Sequence, residues 1–337
     1  MSDELRQLVD EIGRRSSESH VGRRGLPLAF DDDLWRVLES SGLTRLTSDQ
    51  GADPADAAVV LEVLAGHAAA VPIAETDLLA AWLAVTANLA IPADGPLVVA
   101  IADVEPRGGR IAGTAVDVPW PEAGPVVVAA RAAEATYAAV LDEAPAAATS
   151  HNLAGEPRGE VVFDLPLADA VELPPSVGDE LRRRGAWARC VQIVGAFDTA
   201  VRLTIAHTGE RRQFGRTLDG FQAVQHSLAA LIGEVERSRA ATALAIAAVN
   251  DHGFDSVRAD YAVTVAKVAV GRAVEPVTTI AHQLHGAIGV TAEHPLWLAT
   301  MRARSWADEF GTTGRYARRL GRMTLAADDP WRFVVGP

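Results

Sequence analysis

The segment that decides the fold runs from Arg211 to Gln222 and reads RRQFGRTLDGFQ. It holds three arginines and two glycines, and it lies between two stretches of helical periodicity. Guanidinium groups can fork onto phosphate oxygens, and backbone N–H groups at a helix start favour negative charge, so this loop can hold an anion. Taken alone, the commoner explanation is a turn whose arginines are solvated or paired with Glu210.

A second segment, from Gln283 to Val290, reads QLHGAIGV. Gly286 and Gly289 interrupt a helical pattern, and their lack of side chains lets another backbone or a flat ligand approach closely. The ordinary alternative is a glycine that ends a helix. His282 and His285 lie nearby without an acidic partner in the pattern, so packing or a surface role explains them better than a metal site, and no metal ligands are predicted.

Long helical patterns surround both segments. Apolar residues recur at helical spacing in three stretches, whose first members are Trp187, Phe221 and Tyr261. Each stretch is about 25–30 residues long, which predicts a bundle of long helices. The single cysteine, Cys190, lies on an apolar helical face and is predicted to be a buried small hydrophobe.

The first half of the chain divides into a helical part and a β-rich part. Helical spacing dominates to about residue 90, including residues 75–88, and short β-branched runs between prolines and glycines follow. We therefore predict a mainly α fold with a small β domain. The predicted boundaries are an N-terminal helical domain (1–90), a shortened middle β domain (91–173), a C-terminal helical bundle (174–327) and a tail (328–337).

Composition and charge exclude several classes of protein. Hydrophobic residues make up 49% of the chain and charged residues 22%, which is typical of a folded globular protein. No apolar stretch reaches the ~18 residues of a membrane span. The acidic start has no apolar signal region, so we expect a cytoplasmic location. The net charge of −13 divides into −17 for residues 1–174 and +4 for residues 175–337, which argues against nucleic acid as a partner.

Together, the two quoted segments resemble the acyl-CoA dehydrogenase family. The resemblance covers residues 175–325 and includes the later Gly311-Thr312-Thr313, while Pro72 to Thr76 looks like part of the family's N-terminal helical domain. It implies a fold with an N-terminal helical domain, a middle β domain and a C-terminal four-helix bundle.

The resemblance also implies FAD as the cofactor. In this family FAD lies between two subunits: the β domain of one subunit holds the flavin ring, and the other subunit reaches across. Carried over, Arg211 would contact the pyrophosphate, Phe214 would pack beside the cofactor, and Gln283 and Gly286 would border its adenosine part. The remaining residues of the implied cofactor set are Gln222, Ala287 and Thr312.

The catalytic base of the family is missing. The reaction needs a carboxylate that takes the α proton of an acyl-CoA while the flavin takes the β hydride. Phe310 occupies the usual glutamate position before Gly311, and the alternative position on the first long helix, near Gly185, is not acidic either. Asp308 and Glu309 are adjacent, but plain exposure is the expectation for both. No catalytic residue is therefore predicted, and the threonine-rich segment that covers the flavin is absent from residues 91–173.

These matches and departures predict a non-catalytic small subunit of a heteromeric acyl-CoA dehydrogenase. It resembles the small subunits of actinobacterial two-gene enzymes, several of which act on CoA thioesters of steroid side-chain fragments. A larger homologous subunit would supply the glutamate in an α2β2 heterotetramer, with an electron-transfer-flavoprotein-like acceptor. Two alternatives stay open: a self-associating flavoenzyme that uses Asp308 or Glu309 as base, and a non-enzymatic helical scaffold that has lost FAD.

Overall fold

The N-terminal part of the computed structural model is helical. The structure describes residues 2–19, 25–141, 146–291 and 293–335. The Asp31 carboxylate caps the second helix by accepting a hydrogen bond from the Leu34 amide at 3.0 Å, and Pro54 takes the first position of the third. The α-helices of this part are α1 (Ser2–Ser19), α2 (Asp32–Ser40), α3 (Pro54–Gly66) and α4 (Trp82–Thr86).

A π-helix, Ala74–Ala81, stands where the sequence predicts an ordinary helix over residues 75–88. All eight of its residues are buried. The element therefore lacks the alternation of buried and solvent-exposed faces from which the 3.6-residue period of an α-helix is recognised. The buried Asp77 carboxylate accepts hydrogen bonds from the amides of Thr47 and Ser48 at 3.1 and 3.0 Å. These bonds tie the π-helix to the loop that precedes α3.

The middle part contains two packed sheets. One has the order β1-β3-β4-β7 and the other β2-β6-β5, and β1 and β3 are parallel. β3 is buried on both faces, with Val126 and Val128 against the second sheet and Val127 against the helices. The strands are β1 (Val98–Asp103), β2 (Arg110–Pro119), β3 (Val126–Arg131), β4 (Thr136–Leu141), β5 (Ala146–His151), β6 (Pro157–Pro166) and β7 (Val171–Leu173).

The C-terminal part is a helical bundle in which α5, α6 and α7 are the longest members. The first of these packs closely on α3 because Gly195 has no side chain: a Cβ there would lie 2.0 Å from the Glu62 carbonyl oxygen. Cys190 is fully buried, as predicted. The elements are α5 (Pro175–Glu210), β8 (Arg212–Gln213), β9 (Arg216–Thr217), α6 (Gln222–His252), α7 (Val257–His285), α8 (Leu296–Trp306), α9 (Thr313–Leu325) and α10 (Pro330–Val335).

The mainly α fold with a small β region is confirmed. The domain boundaries after residues 90, 173 and 327 stay a prediction, and residues 336–337 of the predicted tail lie outside the described residues. Within the described ranges, no helix is both long and apolar enough to cross a bilayer.

Candidate functional site

Arg211 and Phe214 lie on a short hairpin that follows α5. The Arg211 amide donates to the His207 carbonyl at 2.9 Å and ends the helix, and its own carbonyl accepts from the Leu218 amide at 2.9 Å. Phe214 and Gly215 form the turn between β8 and β9, with φ of +50° and +83°. Two positive φ values are what a two-residue hairpin turn of type I′ requires, and a positive φ is uncommon for phenylalanine.

Phe214 is 91% exposed, although its ring contacts another aromatic side chain. Its ring meets that of Phe221 edge-on, with 6.3 Å between centroids, and the Arg216 guanidinium lies 3.9 Å from the Phe221 centroid. Gln222 follows as the exposed first residue of α6. A large aromatic ring held out into solvent is typical of an interface anchor.

The second predicted segment lies at the same end of the bundle. α7 ends at His285, Gly286 has a φ of +67°, and Gln283, Gly286 and Ala287 are exposed. The His285 ring stacks on that of His207, with 4.6 Å between centroids and 20° between planes. Because His207 is one turn before Arg211, this stack brings the two segments together.

Thr312 is separate from this group. Its hydroxyl caps α9 by accepting from the Arg315 amide at 3.3 Å. The adjacent Thr313 contacts α7 at Gly271, where a Cβ would lie 2.1 Å from the threonine hydroxyl. Gly271 precedes the end of α7 by fourteen residues, which is about 20 Å at 1.5 Å per residue.

Phe310 and Gly185, the two positions at which the sequence resemblance predicts the base, lie against each other. A Cβ on Gly185 would lie 2.4–2.5 Å from atoms of the Phe310 ring, so the ring fills the space above this glycine. Phe310 is partly buried and has a φ of +56°, a conformation that favours glycine. An aromatic ring therefore fills the space over Gly185.

Gly185→Ala tests this contact. A helical Gly→Ala change in open space stabilises by about 0.5–1 kcal/mol, whereas overpacking costs about 1–3 kcal/mol. We expect a net destabilisation at Gly185 that changes sign in a Phe310→Ala background, measured by urea denaturation. Gly233→Ala on α6, with no atom within 4 Å, is the control and should stabilise in both backgrounds. Equal effects of Gly185→Ala in the two backgrounds would contradict the contact.

Glu309 is held between two arginines. Its Oε1 lies 2.6 Å from Arg158 Nη2, and its Oε2 lies 2.6 Å from Arg189 Nε. Burial opposes ionisation, but the charges of Arg189 and Arg158 outweigh it and hold the pKa of Glu309 below its usual range. Exposure was the expectation for both acids; it is confirmed for Asp308 but wrong for Glu309, whose side chain is 13% exposed. A carboxylate bound at both oxygens is a poor proton acceptor.

Glu309 belongs to a chain of six alternating buried charges that the sequence did not predict. Glu156 accepts from Arg302 Nε at 3.2 Å, and Arg302, Arg158 and Arg189 outweigh its burial and lower its pKa to about 2. The chain crosses the N-terminal, middle and C-terminal parts. Its members in order are Arg302, Glu156, Arg158, Glu309, Arg189 and Glu75. A sequence feature that could have indicated these buried charges is Arg189, because it is an arginine inside an apolar stretch of α5.

A cavity of about 300 Å³ lies between the β domain and the loop that holds Phe310. Its apolar wall includes Val99, Ile101 and Val118 from β1 and β2. Two exposed carboxylates, Asp117 and Asp308, also line it. No serine or threonine is among its described lining residues, so hydroxyl donors for a polar ligand are lacking there.

Comparisons with known proteins agree with this architecture. Residues 183–324 match the family model described as Acyl-CoA dehydrogenase, C-terminal domain. Acyl-CoA dehydrogenase IpdE2 of Mycolicibacterium smegmatis is 29% identical over 334 residues, which is 95% of this chain and 98% of that protein.

Solved structures share the whole fold. A chain of the ChsE4-ChsE5 complex from Mycobacterium tuberculosis has a TM-score of 0.82 at 22% identity, covering 97% of both chains. A chain of a Tcur3481-Tcur3483 steroid ACAD variant has a TM-score of 0.84 at 24% identity, covering 96% of this chain and 97% of that one. Residues 183–324 therefore match the C-terminal domain of acyl-CoA dehydrogenases, and the fold of the whole chain is that of these solved structures.

Proposed function

We propose that this chain is the non-catalytic subunit of a heteromeric FAD-dependent acyl-CoA dehydrogenase. The observation that carries the proposal is the packing of Phe310 on Gly185, because it leaves both base positions without a carboxylate. A larger homologous subunit supplies the catalytic glutamate, and the two form an α2β2 heterotetramer. The arginine clamp on Glu309 disfavours the alternative in which Glu309 is the base.

The chain's part in the reaction is to bind and orient the shared cofactor. FAD, when bound, supplies a hydride acceptor for the β carbon of the acyl group. Arg211 offers a charge-assisted contact to the pyrophosphate, and Phe214 packs beside the cofactor. Gly286 has no atom within 4 Å of its Cβ position, which leaves its backbone open to the adenosine. These groups, with Gln222, Gln283 and Ala287, face outward and suit a cofactor held mainly by a neighbour.

The chain's own cleft suits the flavin ring poorly. Its described lining offers no serine or threonine hydroxyl to the ring, and its charges are mixed, with Asp117 and Asp308 beside Arg182 and Arg315. Thr312, the member of the implied set that lies apart from the others, is near this cleft because Gly311 lines it. The chain thus offers outward-facing contacts for FAD but a poor cleft for its flavin ring, and this difference supports one flavin shared by two unlike chains rather than one flavin in each.

The substrate that we propose is a CoA thioester of a steroid side-chain fragment. The similar Tcur3481-Tcur3483 protein is described as a steroid ACAD, and ChsE4-ChsE5 as a complex. An electron-transfer-flavoprotein-like protein would accept the electrons. Both assignments belong to the complex and not to this chain alone.

Co-expression with a homologue encoded nearby tests the proposal. We expect the two chains to co-purify with half a flavin per chain and to oxidise an acyl-CoA, whereas this chain alone is colourless and inactive. A yellow homomer that bleaches with an acyl-CoA would support the self-sufficient enzyme with Asp308 as base. A chain that gains neither flavin nor activity from the homologue would support the non-enzymatic scaffold.

Phe214→Ala should weaken subunit assembly without destabilising the isolated chain. In the isolated chain Phe214 is 91% exposed, so removal of its ring creates no cavity. In the complex the ring would be buried between the subunits, and loss of such an anchor costs about 2 kcal/mol of binding free energy, or roughly 30-fold in affinity. The measurement is the dissociation constant of the heteromer by analytical ultracentrifugation. Trp331→Ala, at a 75% exposed ring on α10, is the control. An unchanged dissociation constant for Phe214→Ala would contradict the role of Phe214 as an interface anchor.

A further inference from the structure

Histidines from three elements meet beneath the two cofactor-contacting segments. His207 of α5 stacks on His285 of α7, and His294, in the loop before α8, meets the His285 ring edge-on with 4.8 Å between centroids. One turn before His285, the His282 Nε2 lies 2.8 Å from the Thr300 hydroxyl of α8. The cluster therefore joins α5, α7 and α8 at the end of the bundle that carries Arg211 and Gln283.

Hydrogen bonding fixes where the neutral rings carry their protons. The His285 Nδ1 lies 2.8 Å from the Ala281 carbonyl oxygen, so it bears the hydrogen and donates. Its Nε2 is then a bare basic nitrogen, buried and without a hydrogen-bond partner among the described residues. The Thr300 hydroxyl donates to the Leu296 carbonyl at 3.0 Å, which leaves the His282 Nε2 to donate and its buried Nδ1 without a partner in the same part of the chain.

The surroundings offer little to stabilise an added proton. From α5, Glu210 and Arg211 act on His207, and from α8, Arg304 acts on His282. His285 itself is faced by the three other imidazoles. The backbone of Gly289 covers two of the rings, since a Cβ there would lie 2.8 Å from the His285 Cβ and 3.4 Å from the His282 Nδ1. A positive charge on His285 would thus be buried beside other bases without an acceptor.

We propose that this cluster is a proton-sensitive clasp, in which neutral imidazoles hold the segment from Gln283 to Ala287 against the end of α5 and protonation releases it. His207 and His285 are positioning residues, because neither is assigned a contact with the cofactor. The proposal rests on the proposed function only in that the two segments contact FAD. The clasp itself is a property of this chain.

The direction of the pH effect follows from burial. Burial lowers the pKa of His285 to about 4 and also lowers those of His207, His282 and His294. A released ring takes up a proton at the ordinary pKa of about 6.5. The clasp is therefore closed above pH 6.5 and opens as the pH falls toward 4. For one proton, the ratio of closed to open forms falls about tenfold per pH unit in this window.

Hydrogen exchange of the full chain, corrected for intrinsic rates, tests the clasp between pH 7 and pH 5. We expect protection of amides in residues 208–217 and 283–290 to fall about tenfold per pH unit below 6.5, while the centre of α6 does not change. His285→Phe keeps a stacking ring and removes one titrating imidazole, the one whose pKa falls to about 4, so its protection should fall less steeply with pH than that of the wild type. His252→Phe, at the opposite end of α6, is the control and should follow the wild type.

A wild-type chain with pH-independent protection, or a His285→Phe variant with the wild-type slope, would overturn the clasp. If His285→Phe does not fold, His207→Phe, at a partly exposed ring, takes its place with the same expectation. The flavin content of the co-expressed complex at pH 7.5 and 5.5 separates the two proposals. A working clasp in a complex without flavin contradicts the proposed function alone, and a flavin-loaded complex with pH-independent exchange contradicts the clasp alone.

Discussion

Glu309→Ala is expected to lower the free energy of unfolding by about 3–5 kcal/mol, because it leaves the buried chain with three arginines and two carboxylates, an excess of one positive charge. The side chains of its partners Arg158 and Arg189 are 2–3% exposed, so water cannot replace the carboxylate without opening the structure. The measurement is urea denaturation of the isolated chain, followed by circular dichroism.

The matched control is a glutamate in an exposed ion pair. Glu105 pairs with Arg107 across side chains that are 78% and 82% exposed, and such pairs contribute less than about 1 kcal/mol. Glu105→Ala should therefore leave the unfolding midpoint nearly unchanged. Glu309→Gln keeps the volume and one acceptor oxygen, so it should fall between the two. A Glu309→Ala variant as stable as Glu105→Ala would mean that the buried charge chain does not hold the three parts together.

The same chain predicts an acid limit of stability. Glu309 and Glu156 have folded pKa values below their ordinary 4.5, and that of Glu156 is about 2. An unfolded carboxylate takes up protons first as the pH falls, so their contribution is complete above 4.5 and is lost as the pH falls toward 2. Glu309→Gln removes one of the titrating groups and should show a shallower loss than the wild type in this window.

Local sequence patterns could predict the fold because they repeat within each element. The spacing of apolar residues marks α5, α6 and α7, and the segment from Arg211 to Gln222 marks the turn between the first two. The π-helix escaped prediction because its polar residues Glu75 and Asp77 are buried like the rest of the segment, so they do not mark a solvent-exposed face from which the period could be read. The order of the helical, β and helical parts could therefore be predicted without knowledge of long-range contacts, although the domain boundaries stay a prediction.

Contacts between distant residues could not be predicted in this way. Glu309 lies 151 residues from Arg158 and 120 from Arg189, and no periodicity relates such positions. Phe310 and Gly185 were each recognised as departures from a motif, but only folding shows that one ring fills the space over the other. The histidine cluster likewise joins residues from α5, α7 and the loop before α8, and so the sequence showed only the pair His282 and His285.

Arg211→Ala is expected to weaken FAD binding by the co-expressed complex about 10- to 150-fold, the equivalent of the 1.5–3 kcal/mol of a hydrogen bond to a charged group. The side chain is exposed, and the bonds that shape the hairpin use the Arg211 backbone, so the variant should fold normally. Arg211→Lys keeps the charge but loses the planar fork, and we expect a smaller loss.

The measurement is titration of the flavin-free complex with FAD, together with activity at saturating FAD. If FAD binds more weakly but added FAD restores the activity, Arg211 contributes to the affinity for FAD and takes no part in the chemical step. Arg212→Ala is the matched control: the backbone is already extended at Arg211, just before β8, and successive side chains of an extended chain point to opposite sides. If Arg211→Ala left both the flavin content and the activity of the complex unchanged, the cofactor would not reach this hairpin, and the role proposed for this chain would be lost.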